Sequence, residues 1–289
     1  MTSMAGKFCI VTGANTGIGK ETARGLAAMG ATVVLGCRNV DKGEAAKADI
    51  AATAPGATLH VLALDLGDLA SIARFVRAVE ALTQKVDVLV NNAGVWVTAR
   101  ATTRDGFETT FGTNHLGTFQ LTRLLLPLLE AAAPARVVVL SSKLHYQGKL
   151  DWADLMAEKS FGGPRAYNQS KLANVLFTKA LARRVASRGI TVNAVHPGVV
   201  ATELARDYPK LLVKLFHLFL LTPAEGAACS LYVATSPACT ATGGYFEKSR
   251  EKKAAAAALD EAAQERLWAL SETLIDAALK RSEGAEAAR

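Results

Sequence analysis

Apolar residues along this chain follow two rhythms. Short apolar runs recur at Phe8–Val11, Thr32–Leu35, Thr58–Leu64, Val86–Val90, Arg136–Leu140, Thr191–Val195 and Gly243–Phe246. Between them the apolar positions fall three and four apart, the spacing of a helix with one buried face. These stretches are Gly19–Met29, Val40–Ala54, Leu69–Leu82, Gly106–Ala132, Ala166–Arg188 and Pro223–Ala234. Strand and helix alternate throughout, which predicts an α/β fold: a doubly wound parallel sheet in three layers, helices on both faces. No internal repeat or linker divides the chain, so residues 1–289 are expected to form a single domain. Leu259–Leu279, with the alanine-rich stretch before it, predicts a C-terminal helical extension over 252–280, and Ser282–Arg289 a frayed tail.

Sheets of this kind bind ligands at the carboxyl ends of their strands. Those ends here are Gly13-Ala14-Asn15, Cys37-Arg38-Asn39, Asp65-Leu66, Asn91-Asn92-Ala93-Gly94, Ser141-Ser142 and His196-Pro197-Gly198, polar or glycine-rich in every case. The first belongs to a strand–turn–helix unit with the spacing Gly13-x-x-x-Gly17-x-Gly19. Glycines let a backbone turn tightly and approach a pyrophosphate, whose charge meets the free N–H groups of the helix N-terminus. A tight turn with glycines for packing alone has the same look, so the spacing gains meaning only from its company.

Half of the 289 residues are hydrophobic, enough for a large core. The formal net charge of +7 comes from scattered Lys and Arg with no basic stripe interleaved with aromatics. It therefore reads as surface charge, and no nucleic acid is expected as a partner. Cys9, Cys37, Cys229 and Cys239 form no C-x-x-C pair, and the histidines show no ligand spacing, so no metal and a reducing, cytoplasmic setting are expected. Met1–Lys7 is too short and polar for a signal peptide, and no run of about 18 apolar residues is present to span a bilayer. The segment 207–223 is apolar nearly all round, broken only by Lys210, Lys214 and His217. Such a helix must be covered on every side. It is either a buried core helix or a substrate lid, near 203–223, whose outer face could rest on a membrane surface through 209–223.

In their order, Thr12-Gly13-x-x-x-Gly17-x-Gly19, Asn91-Asn92-Ala93-Gly94, Asn114, Ser142, Tyr167-x-x-x-Lys171 and Pro197-Gly198 resemble the short-chain dehydrogenase/reductase family over about residues 6–275. "GANTGIGKETA", "CRNVDKGEAA", "NHLGTFQLT", "AYNQSKLANVLF" and "HPGVVATEL" resemble its retinol-dehydrogenase-like branch. So does the 25-position stretch from Ser142 to Tyr167. The resemblance implies a Rossmann-type dehydrogenase/reductase that interconverts a carbonyl and an alcohol by hydride transfer on an apolar substrate: retinal-like, a long-chain aldehyde or an aromatic ketone. A sterol or a small xenobiotic ketone is the rival within the class, and a catalytically silent NADP-binding regulatory protein the rival outside it. Membrane-bound members of the branch carry an N-terminal apolar anchor that this sequence does not show, so their substrate is not carried over. The helices at 106–132 and 166–188 resemble the faces through which members pair, implying a homodimer or homotetramer.

The residues suit that chemistry. Tyr167 is the acid/base candidate, and Lys171, one helical turn later, is placed to stabilise its phenolate and so lower its pKa. Ser142, preferred over Ser141 by family register, donates to the substrate carbonyl and to Tyr167. By resemblance, Asn114 binds a water that relays protons to Lys171, and Lys171 also holds the nicotinamide ribose. The implied dinucleotide cradle comprises Gly13, Asn15, Thr16, Gly17, Ile18 and Gly19, then Asn39, and Asp65 with Leu66 at the adenine. Asn92, Ala93 and Gly94 lie at the ribose, and Pro197, Gly198, Val200 and Thr202 at the nicotinamide and pyrophosphate. An acidic residue near the end of the second strand would accept from a ribose 2′-OH; this chain has Arg38 there, which suits a 2′-phosphate and predicts NADP(H) over NAD(H).

Overall fold

The computed structural model describes residues 3–198 and 221–287. Seven parallel strands and one antiparallel strand form a single sheet in the order β3-β2-β1-β4-β5-β6-β7-β8. They are β1 (Phe8–Thr12), β2 (Thr32–Cys37), β3 (Leu59–Ala63), β4 (Val88–Asn91), β5 (Ala135–Leu140), β6 (Ile190–His196), β7 (Tyr245–Glu247) and β8 (Arg250–Lys252). Each predicted strand is present. β8 was not predicted: it is three exposed, charged residues that return antiparallel to β7, and nothing apolar marks it in the sequence.

Alternate strand residues feed opposite faces. Phe8, Ile10, Val137 and Val139 join one buried cluster; Cys9, Val11, Val138 and Val195 join the other. The first face is covered by α3 (Leu69–Leu82), α5 (Thr118–Ala131) and α6 (Gly163–Arg184), the second by α1 (Gly17–Ala28), α2 (Val40–Thr53) and α7 (Pro223–Thr235). This is the three-layer, doubly wound arrangement, with the winding reversed between β1 and β4. The crevice at that reversal opens at the carboxyl edge of the sheet.

Two helices depart from prediction in ways that bear on the site. The helix expected over Gly106–Ala132 begins as the short α4 (Thr109–Phe111), widens into a π-helical stretch over Gly112–Gly117, and only then continues as α5. A Cβ on Gly117 would lie 2.2 Å from the Leu66 carbonyl oxygen, so this residue lets the widened turn press against the loop after β3. Helix α6 starts three residues before the predicted Ala166. Pro164 fits its first turn, where a missing N–H costs nothing.

The C-terminal extension is a 3₁₀ turn (Ala256–Leu259) followed by α8 (Glu261–Ala287), longer than predicted because the charged and small residues after Leu279 continue the helix. It packs on the outside of α5 and α6. The Trp268 ring lies 4.7 Å from Phe119 and 6.0 Å from Phe177, His115 Nε2 is 2.9 Å from Ser271 Oγ, and Arg123 pairs with Glu272 at 3.4 Å. Here the helix faces assigned by resemblance to pairing between copies are occupied by the chain's own last helix.

Candidate active site

The turn after β1 is shaped by glycine. Gly13 and Gly17 have positive φ, +65° and +54°, open to few other residues. A Cβ on Gly19 would lie 2.3 Å from the Gly13 carbonyl oxygen and 2.4 Å from Asn92 Nδ2, so no side chain fits there. Thr16 caps α1 in an extended conformation but makes no side-chain cap bond, and the first turn holds no acidic residue. Asn39 caps α2 through the Lys42 N–H, Asp68 caps α3 through the Ser71 N–H, and Thr222 with Glu225 forms a reciprocal capping box on α7. The α1 N-terminus thus presents its positive end without a protein anion, and it suits a phosphate. Asn15, Thr16 and Ile18 surround it, half-buried or exposed.

Thr12 at the end of β1 is a hub the sequence motif did not reveal. Its hydroxyl oxygen accepts the N–H groups of Asn92 (3.0 Å) and Ala93 (2.9 Å), while Asn92 Nδ2 donates to the Thr12 carbonyl at 2.8 Å. Asn91 faces the other way, donating to Thr122 Oγ1 of α5 at 2.9 Å. The paired asparagines therefore tie the end of β4 to β1 on one side and to the helical layer on the other. Asp65 accepts the Gly67 N–H at 2.8 Å, and Leu66 beside it is buried. Arg38 directly follows β2 and is exposed; among the described residues no hydrogen bond or ion pair engages it. Pro197 and Gly198 follow β6, with Gly198 at φ +91°. Val200, Thr202 and the lid residues 203–220 lie outside the described residues.

Across the crevice, α6 carries Tyr167 and Lys171 on one face. Tyr167 is 9% exposed and Lys171 4%. Lys171 Nζ sits 5.4 Å from the centre of the Tyr167 ring and donates to the Leu140 carbonyl at 3.2 Å, which also accepts Asn174 Nδ2 at 3.1 Å. The two serines after β5 separate cleanly: Ser141 Oγ donates to the Lys171 carbonyl at 2.8 Å and holds α6, whereas the Ser142 hydroxyl acts on the Tyr167 phenol and favours its ionised form. Burial pushes the phenol up to about 12, and Ser142 opposes that rise. The expected lowering by Lys171 is not seen. Its ammonium lies over the ring face, and burial lowers its own pKa to about 8.

Asn114 stands in the π-helical stretch, a rare geometry that recurs at functional sites. Its Oδ1 accepts the Val95 N–H at 2.7 Å, and its Nδ2 donates to the Val95 carbonyl (2.9 Å) and Ser170 Oγ (3.0 Å). Both amide protons are thus spent on protein. A Cβ on Gly94 would lie 3.3 Å from Asn114 Oδ1 and 3.4 Å from Lys171 Nζ, so this glycine keeps the two groups open to each other. Trp96 was missed in the sequence: its ring stacks on Tyr167 with centres 4.6 Å apart and planes 12° from parallel. Gly163 leaves room beside it, since a Cβ there would lie 3.3 Å from Trp96 Nε1 and 2.6 Å from the Val97 carbonyl oxygen. The signal available was an aromatic residue two positions beyond Gly94. Among the described residues no cluster of three His, Cys, Asp or Glu is placed to hold a metal.

This arrangement can cradle a dinucleotide at the β1–α1 turn and deliver a proton at Tyr167. The chain as a whole is similar to known proteins. Residues 7–211 match the short chain dehydrogenase family. Human (Homo sapiens) retinol dehydrogenase 14 is 41% identical over 292 residues, 94% of this chain and 87% of the relative. A crystal structure of an uncharacterised Mycobacterium paratuberculosis protein superposes with a TM-score of 0.78 at 37% identity over 95% of each chain. The Pseudomonas aeruginosa RhlG/NADP active-site complex gives 0.69 at 26% identity, over 84% of this chain and 95% of that one. The chain belongs to the short-chain dehydrogenase/reductase family of oxidoreductases, in its retinol-dehydrogenase-like branch.

Proposed function

We propose that this protein is an NADP(H)-dependent reductase/dehydrogenase acting on an apolar carbonyl or alcohol, of the class of retinal, long-chain aldehydes and aromatic ketones. The observation that carries the proposal is the convergence of Ser142, Tyr167 and Lys171 at the sheet edge that also holds the uncapped α1 N-terminus. The names of relatives and neighbours, a retinol dehydrogenase and an NADP complex, point the same way.

When bound, the nicotinamide dinucleotide supplies or accepts the hydride. Gly13, Gly17 and Gly19 would let the backbone approach its pyrophosphate, and Arg38 would meet a 2′-phosphate. In the reducing direction Ser142 donates to the substrate oxygen, which polarises the carbonyl. Tyr167 would transfer its proton to that oxygen as the carbonyl is reduced. Lys171, lowered by burial to about 8, exchanges protons near neutral pH, and with Asn114 beside it restores the phenol from solvent. One carbonyl, one reduced cofactor and one proton give one alcohol and one oxidised cofactor. The Trp96 ring beside the phenol supplies apolar surface for the substrate.

The whole chain acts in this proposal as one unit, with 203–223 as its substrate lid and 252–280 as its helical extension. Because α8 occupies the α5–α6 face, pairing into a homodimer or homotetramer falls to another surface. Four buried, unpaired cysteines fit a reducing compartment such as the cytoplasm. No helix of the described residues is long and apolar enough to cross a membrane; contact with a membrane surface falls to 209–223. The test is oxidation of NADPH against all-trans-retinal, decanal and an aryl ketone. Turnover of at least one, with NADH much poorer, is expected; no turnover of any, with tight NADPH binding, would favour the silent regulatory role.

A further inference from the structure

His145 lies one turn beyond Ser142 and takes no part in the chemistry just described. Its ring is fully buried against those of Tyr146, at 4.1 Å, and Tyr245, at 4.5 Å. Nδ1 is 2.7 Å from the Ser142 carbonyl oxygen, and Nε2 is 3.1 Å from the backbone nitrogen of Ala255. An amide N–H only donates, so Nε2 is the bare nitrogen and the ring proton sits on Nδ1, donated to Ser142. The same carbonyl accepts the His145 backbone N–H at 3.0 Å. One residue therefore clamps the Ser142 peptide twice, while the Leu144 N–H holds the Ser142 hydroxyl oxygen at 3.2 Å. The far side is anchored in the segment leading to the C-terminal extension: Ala255 is buried, and the Tyr146 hydroxyl donates to the Lys253 carbonyl.

We infer that His145 is a positioning residue: a neutral imidazole strung between Ala255 and Ser142 aims the Ser142 hydroxyl at Tyr167. The inference rests on the catalytic role proposed above for Ser142. It makes the 253–255 segment, more than a hundred residues downstream, part of the support of the active site. Only the neutral ring can accept from Ala255, and burial favours that form; Tyr146, Tyr245 and His196 are the titratable groups around it.

The test uses the full chain with NADPH and decanal, or whichever of the three carbonyls above is turned over best. Ser142→Ala, His145→Leu, His145→Asn, His145→Gln and the double variant Ser142→Ala/His145→Leu are compared well below the lowest Tm. His145→Leu should lower kcat on the order of tenfold while NADPH Kd stays within about twofold. Asn keeps a donor for the Ser142 carbonyl and should recover kcat to within about threefold; Gln reaches instead toward Ala255 and should recover less. In the Ser142→Ala background His145→Leu should cost less than about twofold, because the aimed hydroxyl is gone. A merely structural role predicts equal losses in both backgrounds, and that result would overturn the inference. So would a fully active His145→Leu enzyme. If His145→Leu does not fold, the order Asn above Gln decides, and the reverse order overturns the inference. A fully active Ser142→Ala enzyme would instead remove the reading of Ser142 on which it rests.

Discussion

The turn after β1 and the turn after β5 open onto the same edge of the sheet but are built differently. The first is made of local backbone: Gly13 and Gly17 in left-handed conformations, Gly19 with no room for a side chain, and a helix N-terminus without a side-chain cap. The second is held from a distance: Ser141 by the Lys171 carbonyl, Ser142 by His145, and His145 in turn by Ala255. A phosphate cradle needs only N–H groups and space, which a few consecutive residues can provide. A proton-transfer site needs side chains aimed within a fraction of an ångström, which only packing from several elements provides. Substitutions in the first turn should therefore act on cofactor affinity, and those around the second on turnover.

The largest expected effect lies in the second region. Tyr167→Phe keeps the ring that stacks on Trp96 and removes the ionisable oxygen. Turnover should fall by a factor on the order of 10² or more, with NADPH Kd within a few-fold of wild type. Single-turnover kinetics with fluorescence titration of the cofactor separates the two. Loss of binding with normal single-turnover rates would break the division between the turns.

Next is Gly19→Ala. The new methyl would meet the Gly13 carbonyl oxygen at 2.3 Å and Asn92 Nδ2 at 2.4 Å, so backbone must move exactly where the pyrophosphate is proposed to lie. NADPH Kd should rise by roughly 30-fold or more, about 2 kcal/mol, while kcat at saturating cofactor stays within a few-fold. Calorimetric titration against the wild type checks it, and an unchanged Kd would place the cofactor elsewhere. Smaller again is Arg38→Asp. The guanidinium is exposed and engaged by nothing among the described residues, so its loss should leave stability nearly unchanged. The ratio of kcat/KM for NADPH to that for NADH should fall about tenfold or more, because a carboxylate repels the 2′-phosphate and accepts from a 2′-OH.

The same contrast explains what the sequence made legible. Strands β1–β7 announce themselves as apolar runs, the central ones buried on both faces, and the glycine turn as a short local motif. Tyr167 and Lys171 share a helix face by spacing alone. Three features escaped because no local pattern encodes them. The π-helical stretch around Asn114 follows from Gly117 fitting against Leu66, a tertiary contact. The Trp96–Tyr167 stack joins residues on separate elements. The exposed β8 exists because β7 offers it an edge. The missed pKa shift has a similar origin. Four-residue spacing places Lys171 near Tyr167, but whether its charge reaches the phenol oxygen depends on ring orientation and burial, which spacing does not give.

The finest distinction between the two turns is electrostatic. Against the glycine turn lies the buried Cys37 thiol, which burial keeps neutral, whereas the second region buries Lys171, whose pKa falls from 10.5 to about 8 through loss of solvent. The unfolded chain keeps this proton up to about pH 10.5 and the folded one releases it near pH 8. Between those values the unfolded state binds more protons, so this group makes stability rise with pH; below pH 8 the full penalty for burying the charge applies. A shift of that size corresponds to about 3 kcal/mol at most. Lys171→Met removes the penalty and also the bond to the Leu140 carbonyl, the latter worth about 1 kcal/mol at any pH. The cofactor-free variant should gain up to about 2 kcal/mol over the wild type at pH 7, and the gain should shrink as pH rises from 8 toward 10. Tyr167 and the buried cysteines, all raised by burial, are present in both proteins and cancel in the difference. Urea denaturation of both proteins at several pH values measures that slope. A difference independent of pH would mean that Lys171 keeps its charge in the folded protein well above pH 8, held by a counter-charge rather than released by burial.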